Sequence, residues 1–325
     1  MKYYFIGFIL LIFLNQNVFC NKLFTEIIYQ NKFISWANEN NKFYETLDFK
    51  KRYEIFKYNM DFIYSWNKGN SQTILGLNKY ADLSNEEYKS LFLGSNIKTQ
   101  NYIRINSSRY DIPTTFDWRL KGAVTPVKNQ GFCNSGYAFS AIGSLESSNK
   151  IENGQLIRLS EQNLIDCSGS EGNRGCDGGT VVNSFNYLFK HQNGKIPKES
   201  SYPYEAQKSK CRFKDQFIGA TLNNFANLIS DESTIQNAVA TKGPVSVAID
   251  ASSIFFQLYF GGVYDDLFCS NIYTNHFVLI VGYTENYWIV KNSYGEDYGI
   301  DGYIYMKKGK NLCGIANNPT IPIII

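Results

Sequence analysis

Along residues 23–93 apolar side chains recur three and four apart among polar ones, whereas beyond residue 222 they gather in short runs rich in Val, Ile, Tyr and Phe. The first pattern has a helical period and the second the character of strands. Arg52, Phe56, Asn59, Ile63 and Asn67 follow one another at steps of four, three, four and four, which keeps them on one side of a helix and lets them dock together on a neighbour. By spacing alone an ordinary amphipathic helix accounts for them. Another helix is predicted over residues 137–151, with Phe139, Ile142 and Leu145 at helical spacing, Asn153-Gly154 as its stop and Gly136 at its N-terminus. Ser160 is placed to cap a shorter helix that starts Glu161-Gln162-Asn163-Leu164. Strands are predicted over residues 245–249, 277–283, 287–291 and 302–306, punctuated by Gly, Asn and Asp as antiparallel strands are. The fold class expected is α+β, with a helical half facing a β-rich half across a cleft.

The chain begins differently. Lys2 precedes an apolar run over residues 3–14 and a short stretch ending Val18-Phe19-Cys20, the pattern of a secretory signal peptide over residues 1–20. That run falls short of the roughly 20 apolar residues that a spanning helix needs, so no membrane anchor is expected. Residues 94–111 are polar and without period, a linker open to proteolysis. Asn106 lies there in the sequon Asn106-Ser107-Ser108 and is the candidate glycosylation site. The divisions expected are thus 1–20, a helical segment over 21–110, and a main domain over 111–325.

Composition narrows the chemistry. With 32 basic and 29 acidic residues and no block of either sign, nothing suggests a nucleic-acid partner. Aromatic residues make up 16%, which suits a filled core and large side chains along a groove. Loss of Cys20 with the signal leaves Cys133, Cys167, Cys176, Cys211, Cys269 and Cys313, an even set that predicts three disulfides in an oxidising compartment. Six cysteines allow fifteen pairings, and the sequence alone does not choose among them. Two histidines and no closely spaced cysteine pair make a metal site a poor rival, and no cofactor is expected.

Candidate site residues lie in three segments. They are Lys128-Asn129-Gln130-Gly131-Phe132-Cys133-Asn134-Ser135-Gly136-Tyr137-Ala138-Phe139-Ser140, then Asn275-His276-Phe277 before an apolar run, then Val290-Lys291-Asn292-Ser293. Taken singly, His276 reads as a buried core histidine, Asn292 as a turn residue and Gln130 as a loop side chain. Together with Gly175-Cys176-Asp177-Gly178-Gly179 they resemble the site segments of papain-like cysteine proteases. Asp48-x3-Arg52-x3-Phe56-x2-Asn59-x3-Ile63-x3-Asn67 and Gly76-x-Asn78-x-Tyr80-x-Asp82 are similar to the two propeptide motifs of that family, with Asp48 for glutamate and Tyr80 for phenylalanine.

The resemblance implies a papain-like fold, with a helical left half and an antiparallel β-barrel right half, preceded by an inhibitory propeptide that lies across the cleft. It pairs Cys133 with Cys176, Cys167 with Cys211 and Cys269 with Cys313. It assigns His276 as the base, Asn292 as the group that orients it, and Gln130 with the backbone N–H of residue 136 as oxyanion donors, His276 and Asn292 lying 140 and 156 residues beyond Gly136. Gly178 and Gly179 would form a wall of the substrate groove. Gly136 stands where the family has its nucleophilic cysteine, and Phe277 where it has a small residue in the main specificity pocket. Asn134 replaces a usual glycine, and Tyr137, Tyr294 and Tyr298 replace usual tryptophans. Ser135 is expected to point away from His276, and Cys133 to be spent in its disulfide, leaving a water activated by His276 as the remaining nucleophile. Without a thiolate beside it, His276 is expected to be neutral at pH 7.

The function expected is that of a secreted or lysosomal pseudoprotease that binds a peptide, a protein or a protease inhibitor in its cleft as a monomer, besides its own propeptide. The alternatives are a working cysteine-type endopeptidase and a folding or storage role in which the propeptide is never removed.

Overall fold

The computed structural model describes residues 22–94 and 112–325. The expected signal peptide, the linker residue Asn106 and the expected junction at Asp111 lie outside the described residues.

The N-terminal segment consists of α1 (Glu26–Glu39), α2 (Thr46–Asn67), β1 (Thr73–Leu75) and α3 (Asn85–Phe92). Tyr29, Phe33 and Trp36 of α1 are buried with Phe56, Met60 and Ile63 of α2, and the Phe56 ring lies 5.2 Å from those of Phe33 and Trp36. The one-sided stripe on α2 turns toward the chain that follows it although three of its five members are polar, because each polar member meets backbone. Arg52 donates to the Asp82 carbonyl and to Glu87, Asn59 donates to the Ala81 and Leu83 carbonyls, and Asn67 bonds both the N–H and the carbonyl of Leu75. These bonds fix the chain that follows α2, and Ser84 and Glu87 close a capping box on α3. β1 was not among the elements predicted. Three residues are too few for a period to register, and the strand exists by pairing Thr73 with Gly262 of the main domain.

The main domain runs β2 (Phe116–Asp117), α4 (Gly136–Asn153), α5 (Glu161–Cys167), α6 (Val181–His191), β3 (Lys195–Pro197), β4 (Ile218–Thr221), β5 (Asn224–Asn227), α7 (Glu232–Thr241), β6 (Val245–Ile249), α8 (Ile254–Gln257), β7 (Tyr259–Tyr264), β8 (His276–Tyr283), β9 (Tyr287–Lys291), β10 (Tyr303–Lys307) and β11 (Asn317–Ile323). The large sheet follows the path β1-β7-β10-β9-β8-β6-β11-β5, with β2 also on β8 and with β3 and β4 paired separately. Its described pairs are antiparallel except β10 with β7, which run parallel.

α4 is buried from Gly136 through Asn149, on every face, which explains the serines and glycine among its apolar residues. Small side chains let it approach β8: a Cβ on Gly143 would stand 3.0 Å from Leu279. It stops at Gly154, whose φ of 72° suits a glycine C-cap. β8 is buried along its whole length, which is why its sequence is a continuous apolar run and not an alternation. One core lies in the helical half around α4 to α6 and another joins the β half to the N-terminal segment. Disulfides link Cys133 to Cys176, Cys167 to Cys211 and Cys269 to Cys313, across separations of 43, 44 and 44 residues. Loops of that size are each worth about 4 kcal/mol in chain entropy.

Candidate active site

The cleft brings together the N-terminus of α4 and the near ends of β8 and β9. His276 opens β8, Asn292 follows β9, and the pairing of the two strands brings His276 Nε2 to 2.9 Å from Asn292 Oδ1. The Ser293 N–H donates to the same Oδ1 at 2.8 Å, so that atom is an acceptor and the hydrogen lies on Nε2. The Nδ1 lone pair is thereby left free. Burial lowers the His276 pKa to about 4, against a smaller opposing contribution from Asn292. Its ring is 3% exposed and is flanked by Tyr294 and Phe256, centroids 5.1 and 6.3 Å away.

Gly136 faces this imidazole. A Cβ built on Gly136 would lie 2.6 Å from His276 Cε1, 2.7 Å from Nδ1 and 3.1 Å from the Phe277 carbonyl oxygen, so the ring occupies space that any larger residue would need. A cavity of about 20 Å³ remains beside it, lined by Phe92, Asn134, Gly136, Gly178, His276 and Phe277 among others. That is room for a single water. Ser135 turns elsewhere, with its hydroxyl 3.0 Å from that of Tyr204 and 3.4 Å from the Cys133 carbonyl. Phe277 is buried in the core of the helical half, with Tyr137, Ala138 and Ala248.

Gln130 is fully buried, and its amide is engaged. Nε2 donates to the Cys133 carbonyl at 2.8 Å and to the Phe92 carbonyl at 3.3 Å, while Oε1 accepts from the Ser293 hydroxyl at 2.6 Å. Phe92 ends α3, so a carbonyl of the N-terminal segment reaches the amide that the family resemblance implies to be an oxyanion donor. Gly94 continues along the cleft, where its N–H donates to the Asn275 carbonyl at 3.0 Å and its Cα side lies against Gly178. Gly178 sits at φ 99°, a conformation that favours glycine, and Gly179 has no room for a side chain, since a Cβ would collide with Asn173 Oδ1.

Sequence reasoning missed the ionic layer beneath the site. Lys128 Nζ bonds Glu146 at 2.9 Å and Glu161 at 2.6 Å, and Lys291 Nζ bonds the carbonyl and hydroxyl of Thr125 at 2.7 and 3.0 Å. Burial pushes the Glu161 carboxyl up to about 7, against the pull of Lys128, and pushes Lys291 down to about 8. Charged residues within helical and strand patterns read as exposed, so no sequence signal marks them.

The N-terminal segment is held by the residues of its second motif. A side chain at Gly76 would collide with the Phe260 ring at 2.5 Å. Asn78 donates to the Gln257 carbonyl at 2.8 Å, and Asp82 accepts from Lys42 and Tyr44. Tyr80 enters a cluster of rings with Tyr88, Phe92, Tyr294 and Tyr298, and its buried hydroxyl has no hydrogen-bond partner among the described residues. Tyr80→Phe removes that unpaired group and is expected to raise the stability of the proprotein by roughly 1 kcal/mol. A denaturation midpoint unchanged or lowered in the variant would contradict this.

Residues 112–323 match the model of the papain family cysteine protease, and residues 33–88 that of the cathepsin propeptide inhibitor domain. Cysteine proteinase 3 of Dictyostelium discoideum is 45% identical over 322 residues, covering 94% of this chain and 93% of that protein. Procathepsin L of Rattus norvegicus is 38% identical over 304 residues, covering 89% and 90%. Among solved structures, digestive procathepsin L 3 of the Tenebrio molitor larval midgut superposes with a TM-score of 0.84 at 37% identity, covering 91% of this chain and 99% of that one. Matched from its N-terminal helices to its last strand, the chain belongs to the papain family of cysteine proteases and is a cathepsin L-like proprotein with its own inhibitory propeptide.

Proposed function

We propose that this protein is a papain-fold pseudoprotease, made with a signal peptide, delivered to the lysosome or the extracellular space, and acting as a monomer by binding a peptide or protein in its cleft. The observation that carries the reading is Gly136 with the His276 imidazole packed against it. A cysteine protease needs a thiolate, a base, a group that fixes the base and oxyanion donors. His276, Asn292 and Gln130 stand in positions suited to the last three roles, and a glycine has nothing to serve as the first. The neutral His276 can polarise a single water in the adjacent cavity, but that route lacks a covalent intermediate. Phe277 supports the same reading, because a phenyl ring beside the site narrows the room for an apolar substrate residue. A protease inhibitor, whose affinity comes from filling the groove and not from being cut, suits such a cleft. The proposed divisions are residues 1–20, 21–110 and 111–325, with glycosylation at Asn106.

A working endopeptidase is the rival reading, favoured by the peptidase names of the relatives. The deciding experiment is hydrolysis of a broad fluorogenic peptide pool by the wild-type protein after removal of the propeptide, with His276→Ala beside it. Equal background rates are expected. Wild-type hydrolysis that disappears in His276→Ala would overturn the pseudoprotease reading.

A further inference from the structure

The propeptide meets the mature domain through rings, and at one place through a polar pair inside them. Tyr88 of α3 and Tyr294, two residues beyond Asn292, are both fully buried, and their hydroxyl oxygens lie 3.0 Å apart. Around them stand Tyr80, Phe92, Phe256 and Tyr298, whose rings approach that of Tyr294 at centroid distances of 5.2 to 6.3 Å. Neither hydroxyl has a second hydrogen-bond partner among the described residues, and the Tyr80 hydroxyl within the same cluster has none. Each member of the pair therefore depends on the other.

We propose that the paired hydroxyls of Tyr88 and Tyr294 make this propeptide selective for its own domain, discriminating against a papain-fold partner whose ring at position 294 carries no hydroxyl. A buried hydroxyl left without a partner loses its hydration and gains nothing in return, whereas two rings that both lack one pack without that loss. The pair therefore contributes less to affinity than to matching. The two residues are 206 positions apart, on opposite sides of the segment that maturation would cut. This inference is independent of whether the cleft hydrolyses peptides.

The test is a double-mutant cycle on the full-length proprotein, read by amide hydrogen exchange at Asn85–Phe92 of α3, with Val245–Ile249 of β6 as the reference for global unfolding. Tyr88→Phe and Tyr294→Phe are each expected to lower protection of α3 by roughly five- to hundredfold, the cost of one orphaned hydroxyl. The double variant is expected to regain most of that loss. If β6 loses protection too, the same cycle read from denaturation midpoints must give the same coupling. Single variants that exchange like wild type, or a double variant whose loss is the product of the two single losses, would overturn the proposal.

Discussion

Gly136→Cys, matured by proteolytic removal of the propeptide, is expected to gain peptide hydrolysis of the order of 10³-fold or more over wild type. The scale comes from a serine protease, where loss of the nucleophile costs roughly 10⁶ in kcat while binding and the oxyanion hole still leave about 10³ over water. The gain should fall short of the upper figure for a reason visible at the site. The new Cβ would meet His276 Cε1 at 2.6 Å, so the imidazole must move before a thiol fits beside it. On the proposed reading that Phe277 narrows the neighbouring pocket, Phe277→Ala in the Gly136→Cys background is expected to add to the rate. His276→Ala in that background should return hydrolysis to the wild-type level. A silent Gly136→Cys whose thiol reacts readily with an epoxide would mean that the scaffold has lost more than its nucleophile.

His276 is expected to make the proprotein lose stability as the pH falls from about 6.5 to about 4. In the unfolded chain an imidazole takes its proton near pH 6.5, while burial holds the folded one near 4. Across that window the unfolded state binds more protons, so stability rises with pH and is lost on acidification. A depression of this size corresponds to about 3 kcal/mol between pH 7 and pH 4. Glu161 acts in the opposite sense, since its raised pKa favours the folded state at low pH and loses that contribution as the pH rises toward 7. Comparison with His276→Gln therefore isolates the histidine: the stability of wild type relative to the variant should shrink by that amount on acidification. Parallel curves for the two proteins would refute the assignment, as would a His276 imidazole resonance that titrates above pH 6.5.

Much of the fold was legible beforehand. The α4 helix, the Ser160 cap and the strands at 245–249 and 287–291 follow from period and punctuation, and they recur with ends shifted by no more than a residue or two. β1 and the parallel pairing of β10 with β7 escaped, because both depend on a neighbour far away in sequence. At the site, His276, Asn292, Gln130 and Gly136 carry no distinguishing local pattern. Only the resemblance of whole segments singled them out, and likewise the choice among fifteen disulfide pairings.

By itself the sequence determined the family, the even cysteine set, the helical span that begins at Gly136, and the lack of a thiol at that residue. Each is a property of residue identity or local spacing. Only the tertiary structure decided that His276 leans into the space over Gly136, that the Phe92 carbonyl takes the Gln130 amide, that Tyr88 and Tyr294 share a hydrogen bond and that Tyr80 does not. Those are close approaches between groups up to 206 residues apart, set by how helices and sheet pack in a dense interior, where a few tenths of an ångström decide which atom fills a space.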